Sequence, residues 1–209
     1  AAALEAAKSG AKVILVDAIR KGTTTLVDHH ASPGAVTGSL ARIAKAVKET
    51  GLRSCLCYEV SDRDGAAVAE EGLAENAAFA RECAAAKDPQ LRALFGLHAA
   101  FTLSDETLGK AARMGRDLGV GFHVHVAEAA SDVAANRAKY GKSSARRLVD
   151  LGILGKGSIA AHAVHCDDAD KDALAASGTW VVHNPQSNLN NAVGIAKYDI
   201  EYKDADVIL

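Results

Sequence analysis

Apolar and polar positions in this chain come in blocks, and the blocks change period. From Val36 to Thr50 the apolar residues fall at Val36, Leu40, Ile43 and Val47, a helical spacing, and Gly51 follows as a C-terminal stop. Leu52–Cys57 is a short apolar run leading into Tyr58 and Glu59, and reads as a strand. Ala66–Ala86 predicts a helix with Leu73, Phe79, Ala80 and Cys83 inward, ended before Pro89. Leu91–Phe95, continuing through Gly96-Leu97-His98, predicts one strand. Ser104 can cap the next helix, with Asp105 and Glu106 in its first turn, Leu108, Ala111 and Leu118 on its inner face and Gly119 at its end. Gly121–Glu128 begins as a strand and ends in a loop. Ser131–Leu151 is helical in outline and broken at Gly141. Gly157–Ala161 is a strand ending in His162, Asp168–Ala176 a helix closed by Gly178, and Thr179–Val182 a strand ending in His183-Asn184-Pro185.

The two ends are less decisive. Lys12–Val16 could be a strand by its β-branched content or part of a helix running to Arg20. The helix is preferred, because Gly22 is followed at once by a better strand, Thr23–Val27. That strand runs into Asp28-His29-His30 and a turn at Pro33-Gly34. Residues 201–209 read as a turn and then the start of a strand over 205–209.

Strand and helix thus alternate six times, with strand starts near 23, 52, 91, 120, 157 and 179 and no linker or low-complexity break. Such alternation implies parallel strands joined by crossover helices. The spacing suits the repeating unit of a (β/α)8 TIM-type barrel, a fold of about 250 residues when complete. A doubly wound α/β sheet is the competitor. No G-x-G-x-x-G follows the first strand, which counts against its dinucleotide-binding version. Residues 1–209 are read as a single partial barrel domain.

Composition narrows the function. The 209 residues are 49% hydrophobic and 24% charged, with net charge −2. That length can bury roughly 70% of the unfolded surface in one domain. The near-neutral balance gives no electrostatic footprint for nucleic acid or an anionic membrane. No apolar run is long enough to span a bilayer. Ala1–Gly10 carries Glu5 and Lys8 and lacks the apolar core of a signal peptide. The chain does not begin with Met, so an N-terminal part is expected upstream. Its four cysteines (Cys55, Cys57, Cys83, Cys166) form no CxxC pair and read as free thiols of a reducing cytoplasm.

The candidate chemistry lies in the histidines. All eight (His29, His30, His98, His123, His125, His162, His165 and His183) fall at or just past the C-terminal end of a predicted strand, and they come from five strands. In a (β/α)8 barrel those ends meet at the mouth that carries the active site. Each alone is more often a structural histidine; together they favour a metal site. His123 and His125, two apart, point to the same face of a strand. Glu128 follows where the strand gives way to a loop. On this stretch alone, a metal site and a strand with solvated polar residues are equally good readings. A metal held by histidine and carboxylate can make hydroxide near neutral pH. A nearby carboxylate can carry the proton to a leaving group, and Glu128 is the best placed for it. Asp28 and Glu59 also follow strand ends, where acids are common for turn reasons alone.

Five stretches then occur in order: Gly22-Thr-Thr-Thr-Leu-Val-Asp28, Gly96-Leu-His98-Ala, His125-Val-Ala-Glu128, Ala161-His162-Ala-Val-His165 and His183-Asn-Pro-Gln-Ser-Asn188. Together they resemble the amidohydrolase superfamily, in its chlorohydrolase and cytosine-deaminase-like branch. Asp28-His-His-Ala-Ser-Pro33 and Cys57-Tyr-Glu-Val-Ser-Asp-Arg-Asp-Gly65 resemble in particular a group of aminohydrolases called SsnA. The resemblance covers nearly the whole chain.

It implies an aminohydrolase or deaminase that uses metal-activated water on a C–N bond of a heterocyclic small molecule, purine- or pyrimidine-like. It implies one divalent metal, zinc or else iron, with His125 as a ligand. Glu128 matches the proton shuttle, and His162 the histidine that sits over the metal and polarises the substrate. His98 and His183 match substrate-binding positions. His123 is read as lying behind His125, and His165 as structural. The pattern is departed from in two places. The resemblance also calls for an H-x-H pair on a first strand and an aspartate on an eighth, and neither stands in these residues. The chain therefore reads as an internal fragment, about strands two to seven and the start of eight, inactive on its own. A cyclic amidase of the same superfamily is the alternative enzyme. Such sites often bridge two metals with a carboxylated lysine after the fourth strand, which here ends in His98 without one. A non-catalytic small-molecule-binding paralogue is the alternative outside catalysis. No nucleic-acid or membrane partner is expected, and a homo-oligomer is compatible with the sequence.

Overall fold

The computed structural model describes residues 2–196 and the backbone of 207–208. The chain divides into two compact units, residues 1–96 and 97–209.

The first unit holds α1 (Ala2–Arg20), β1 (Thr25–Val27), α2 (Ser39–Thr50), β2 (Arg53–Leu56), α3 (Ala66–Ala86) and β3 (Leu91–Ala93). Its three strands form a parallel sheet in the order β1-β2-β3. The helical reading of the Ala-rich start holds. Gly22 ends α1 in the left-handed region (φ 84°), its N–H bonded to the Ile19 carbonyl at 2.9 Å. That conformation costs glycine little and other residues more.

The second helix starts at Ser39, three residues later than the apolar spacing predicts. Its first N–H groups are satisfied from outside: buried Glu75 on α3 accepts from Gly38 N at 2.8 Å and Leu40 N at 2.9 Å. A side chain from another helix thus does the capping, and sequence spacing cannot show it. Fully buried Asn76 is the other polar tie. Its Oδ1 accepts from Tyr58 N (2.8 Å) and Gly96 N (3.2 Å), and its Nδ2 donates to Tyr58 O (2.8 Å).

The predicted strand from Leu91 to His98 is two strands. Leu91–Ala93 ends the first sheet, and Phe95–Ala99 (β4) opens the second. Leu94 marks the break, with its N–H on the Leu56 carbonyl at 3.2 Å. The apolar run is continuous across the break, so hydrophobicity carries no trace of the change of sheet.

The second unit continues with α4 (Asp105–Leu118), β5 (Phe122–Val126), α5 (Ala130–Tyr140), α6 (Ser144–Asp150), β6 (Ile159–His162), α7 (Asp168–Ser177), β7 (Trp180–Val182), α8 (Pro185–Asn190) and β8 (Val207–Ile208). Its sheet order is β4-β5-β6-β7-β8, and β5 to β8 pair in parallel. Ser104 caps α4 by accepting from Thr107 N at 3.1 Å, as its position suggests. Short, polar α8 has no counterpart in the sequence reading, which ends its last strand at His183-Asn184-Pro185; Pro185 stands in the first turn of the helix, where its missing N–H costs nothing. Of the strand expected over 205–209, only 207–208 lie within the described residues. No helix among the described residues is long and apolar enough to cross a membrane, and the four cysteines are free thiols.

Arg147 is the polar centre of this unit. It is 2% exposed, yet it donates to the carbonyls of Ala100 and Leu103 and to Asn136 Oδ1. It also pairs with Asp105 (2.6 Å), and its guanidinium stacks 3.4 Å from the centre of the Tyr140 ring. Planar, multiply donating arginine suits such a site.

Candidate active site

Three neighbouring strands of the second sheet carry histidines at or near their C-terminal ends. β4 carries His98, β5 carries His123 and His125, and β6 ends in His162. The rings gather around His125. His162 lies 5.2 Å from it between ring centres, His98 5.5 Å and His123 6.4 Å, all edge to face. His123 and His125 share a face, as the period of two requires. His123 and His162 are buried, and His98 and His125 half-buried. Glu128, on the loop after β5, brings Oε2 within 3.6 Å of His162 Nε2. Sequence reasoning therefore named four residues that the structure brings together: His98, His125, Glu128 and His162. His183 is half-buried just past β7, the strand beside β6.

The backbone explains how His162 joins this group. In a parallel pair, partner residues face the same side of the sheet. His162 pairs with Val126, not with His125, so a regular strand would turn its ring to the opposite face. Instead His162 and Ala163 both occupy the left-handed region, at φ 73° and 49°. Two successive non-glycine residues there are strained, at roughly 1–3 kcal/mol each. The strain re-aims the ring towards His125. Ala127, at φ 47°, makes the matching turn before Glu128. The two strained loops hold each other: Ala163 N bonds to Val126 O, and His165 N to Ala127 O, each at 2.9 Å.

Side chains that sequence reasoning did not single out lock this arrangement. Asn184 Oδ1 accepts from His162 N at 3.2 Å, and buried Asn188 Oδ1 lies 2.7 Å from His162 Nδ1. Asn191 Nδ2 donates to Glu128 Oε1 at 3.1 Å, and Asp132 Oδ2 accepts from Glu128 N at 3.0 Å. Burial pushes the Asp132 carboxyl above its usual range. The available signal was the pair of asparagines four apart in His183-Asn-Pro-Gln-Ser-Asn188, which one helical turn places on one side. Asn184, Pro185, Gln186, Ser187 and Asn190 line an open depression of about 630 Å³, beneath which Asn188 is buried in the chain.

Hydrogen bonds also hold the rings of His98 and His165. Thr102 Oγ1 lies in hydrogen-bonding reach of both the Ala99 carbonyl, at 3.0 Å, and His98 Nδ1, at 2.8 Å. His165 Nε2 donates to the Val193 carbonyl at 2.8 Å, tying the loop after β6 to the segment after α8.

The strand ends of the first unit carry polar side chains of their own. His29 Nε2 is 3.6 Å from Glu59 Oε2, and Glu59 also pairs with Arg63 at 3.2 Å. Fully buried Cys57 donates its thiol to Asp28 O. Burial raises the carboxyls of Asp28 and Glu59 and lifts the Cys57 thiol well above its usual value.

Within the second unit, no three histidine, cysteine or carboxylate atoms converge among the described residues. His125 supplies an imidazole with three further imidazoles, those of His98, His123 and His162, and the Glu128 carboxylate nearby. In kind this donor set suits a divalent transition metal such as zinc, but it falls short of a closed four-ligand shell.

Parallel strands with histidines and a carboxylate at their C-terminal ends match the layout of a (β/α)8 barrel mouth. The amidohydrolase family model matches residues 2–209, and the chain belongs to that family. It is 35% identical over 184 residues to a 5-methylthioadenosine/S-adenosylhomocysteine deaminase of Desulforudis audaxviator, covering 87% of this chain and 40% of that protein. It is 34% identical over 187 residues to a 5'-deoxyadenosine deaminase of Methanosarcina mazei, covering 90% and 42%. Among solved structures, an adenosine deaminase from Xanthomonas campestris with bound zinc matches with TM-score 0.78 and 25% identity over 91% of this chain and 42% of that one. A guanine deaminase from C. acetobutylicum with bound guanine matches with TM-score 0.85 and 15% identity over 99% and 50%. The fold class is thus the (β/α)8 barrel, and the competing doubly wound sheet is set aside. The chain spans about two-fifths of the length of the curated relatives it matches.

Proposed function

We propose that the complete protein is a metal-dependent aminohydrolase that removes ammonia from a ring carbon of a purine-like heterocycle. Residues 1–209 are then one partial domain of its barrel. The observation that carries this reading is the Glu128 carboxylate set 3.6 Å from His162 Nε2, beside the His125 ring. The relatives named for deamination of adenosine derivatives, and the zinc-bound adenosine deaminase, support it.

In this reading His125 holds zinc, with the rest of the ligand shell supplied from outside the second unit. When bound, the cation makes water a nucleophile near neutral pH. Glu128 accepts the proton of the attacking water and returns it to the leaving nitrogen. One C–O bond forms, one C–N bond breaks, and ammonia departs with that proton. Asn191 and Asp132 hold the carboxylate in place through Oε1 and its own backbone N–H. His162 faces the same reaction space, and His98 and His183 contact the heterocycle. The partner is a small molecule rather than nucleic acid or membrane, in the cytoplasm.

The test uses the full-length coding sequence. Purified protein is assayed for bound metal by elemental analysis and for ammonia release from adenosine-type nucleosides. Glu128→Gln is expected to lower kcat by about 10²–10⁴-fold with metal content unchanged. Full activity in that variant overturns the assignment. Two metals per chain would instead favour a cyclic amidase.

A further inference from the structure

Proposing a proton shuttle at Glu128 leaves open which way the ring facing it presents its nitrogens. A neutral imidazole has one N–H and one lone pair, and whichever bond the far nitrogen makes decides what the near nitrogen can do. For His162 the far nitrogen is Nδ1. It lies 2.7 Å from Asn188 Oδ1, and an amide carbonyl oxygen can only accept. Asn188 is wholly buried, so no bulk water competes for that bond. The near nitrogen, Nε2, is turned towards Glu128.

We propose that Asn188 is a positioning residue. Its carbonyl keeps the proton of His162 on Nδ1, so that the ring offers the Nε2 lone pair to the space shared with Glu128. His162 then accepts a hydrogen bond from water or substrate there, where the opposite tautomer would donate one. This inference rests on the proposed aminohydrolase reading for its catalytic meaning, but its structural content stands apart from it.

Three further observations support a device built for this purpose. The ring reaches this place only through two successive left-handed residues, His162 and Ala163, a strained turn that the surrounding structure must enforce. Asn184, four residues before Asn188, takes the backbone N–H of the same histidine at 3.2 Å. One short segment after β7 therefore fixes both the main chain and the ring of a residue at the end of β6. Third, Asn191 from the end of the same segment reaches Glu128 Oε1 at 3.1 Å. The acceptor side of the carboxylate and the tautomer of the histidine are thus set from one piece of chain.

The test is read by nuclear magnetic resonance as well as by turnover. Full-length, metal-loaded protein is labelled with 15N-histidine, and long-range 15N–1H correlations are recorded well above the ordinary histidine pKa. The His162 signals are identified by their loss in His162→Gln. The wild type is expected to show a protonated Nδ1 and a lone-pair Nε2. In Asn188→Leu, similar in size but unable to accept, His162 is expected to shift to mixed tautomers, with kcat about 10–100-fold lower and KM little changed. Asn188→Asp, an acceptor only, is expected to keep Nδ1 protonated. A protonated Nε2 in the wild type, or unaltered His162 shifts in Asn188→Leu, overturns the proposal. Should Asn188→Leu fail to fold, the wild-type spectrum and Asn188→Asp decide it. A correct tautomer in a protein that releases no ammonia would overturn the aminohydrolase reading and leave the positioning role standing.

Discussion

The two units end their strands in similar residues and treat them differently. In the first, Asp28, His29, Cys57 and Glu59 follow ordinary strand ends, and among the described residues of that unit the left-handed non-glycine residue is Lys87, at a helix terminus. In the second, Ala127, His162 and Ala163 are all left-handed where the strands stop. The first unit handles its polar strand ends by burial, which raises the Asp28 and Glu59 carboxyls. The second aims its polar groups with strained turns and asparagine clamps. Strain that persists beside a histidine cluster marks a place where side-chain direction, rather than burial alone, is under structural control.

The largest expected effect on stability separates the polar hubs of the two units. Arg147→Leu removes the donors for Ala100 O, Leu103 O and Asn136 Oδ1, all in a buried setting. Its charge partner Asp105 is largely exposed, so most of the loss comes from orphaned carbonyls rather than from the ion pair. A destabilisation of about 3–5 kcal/mol is expected. Asn76→Leu in the first unit orphans Tyr58 and Gly96 backbone groups, at about 2–4 kcal/mol. The single tryptophan, Trp180, lies in the second unit. Urea unfolding followed by its fluorescence should therefore move with Arg147→Leu more than with Asn76→Leu. Equal shifts in both variants would mean that the units unfold as one, and the comparison of separate hubs would fail.

A smaller effect tests whether the strain is functional. Lys87 caps α3 at φ 49°, with its N–H on Cys83 O at 3.1 Å. Glycine suits that cap, so Lys87→Gly should stabilise by about 0.5–1 kcal/mol and leave turnover unchanged. Ala163 has almost the same φ. There the relief of strain is offset by the buried methyl and the freer unfolded chain, so Ala163→Gly should change stability by less than about 0.5 kcal/mol. In the full-length enzyme, however, it should lower kcat several-fold by loosening the turn that aims His162. Melting curves and initial rates on both variants check this. An Ala163→Gly enzyme with full activity would show that the strained turn does not aim the ring.

The alternation of strands and helices was legible because each crossover helix carries its own apolar stripe and its own glycine or capping stop. Gly22, Gly51, Gly119 and Gly178 all sit left-handed at the ends where they were expected. The position of the histidines was legible too, since strand ends are found by where the apolar run stops. The split at Leu94 was not, because both halves are apolar and only the backbone partner changes. Nor was the clamp from Asn184 and Asn188. Its members are ordinary turn residues in the sequence, and their partner lies 22 and 26 positions away. The re-aiming of His162 was hidden for a further reason. Its side chain departs from the period of two, and pattern reading assumes that period.

The smallest effect is a pair of pH dependences with opposite signs, one in each unit. Glu49 on α2 is exposed and bridged by Lys8 and Lys12 of α1, which draw its carboxyl from 4.5 down to about 2. A depressed value means that its contribution is present above 4.5 and is lost as the pH falls through about 2. Because the pair faces solvent, added salt should weaken it. Asp132 behaves in the opposite way. Burial raises its carboxyl above 3.8, outweighing the bonds it accepts from Glu128 N and Ser144 Oγ. Its contribution is full below 3.8 and is lost as the pH rises through the raised native value. Melting temperatures across the acid range should therefore show Glu49→Gln losing least, relative to wild type, at the lowest pH. Asp132→Asn should gain on wild type as the pH climbs above the ordinary aspartate value, because the amide cannot ionise. A parallel trend in the two variants would mean that Asp132 is stabilised as a carboxylate, and that the loop holding Glu128 is organised by charge rather than by a buried acid.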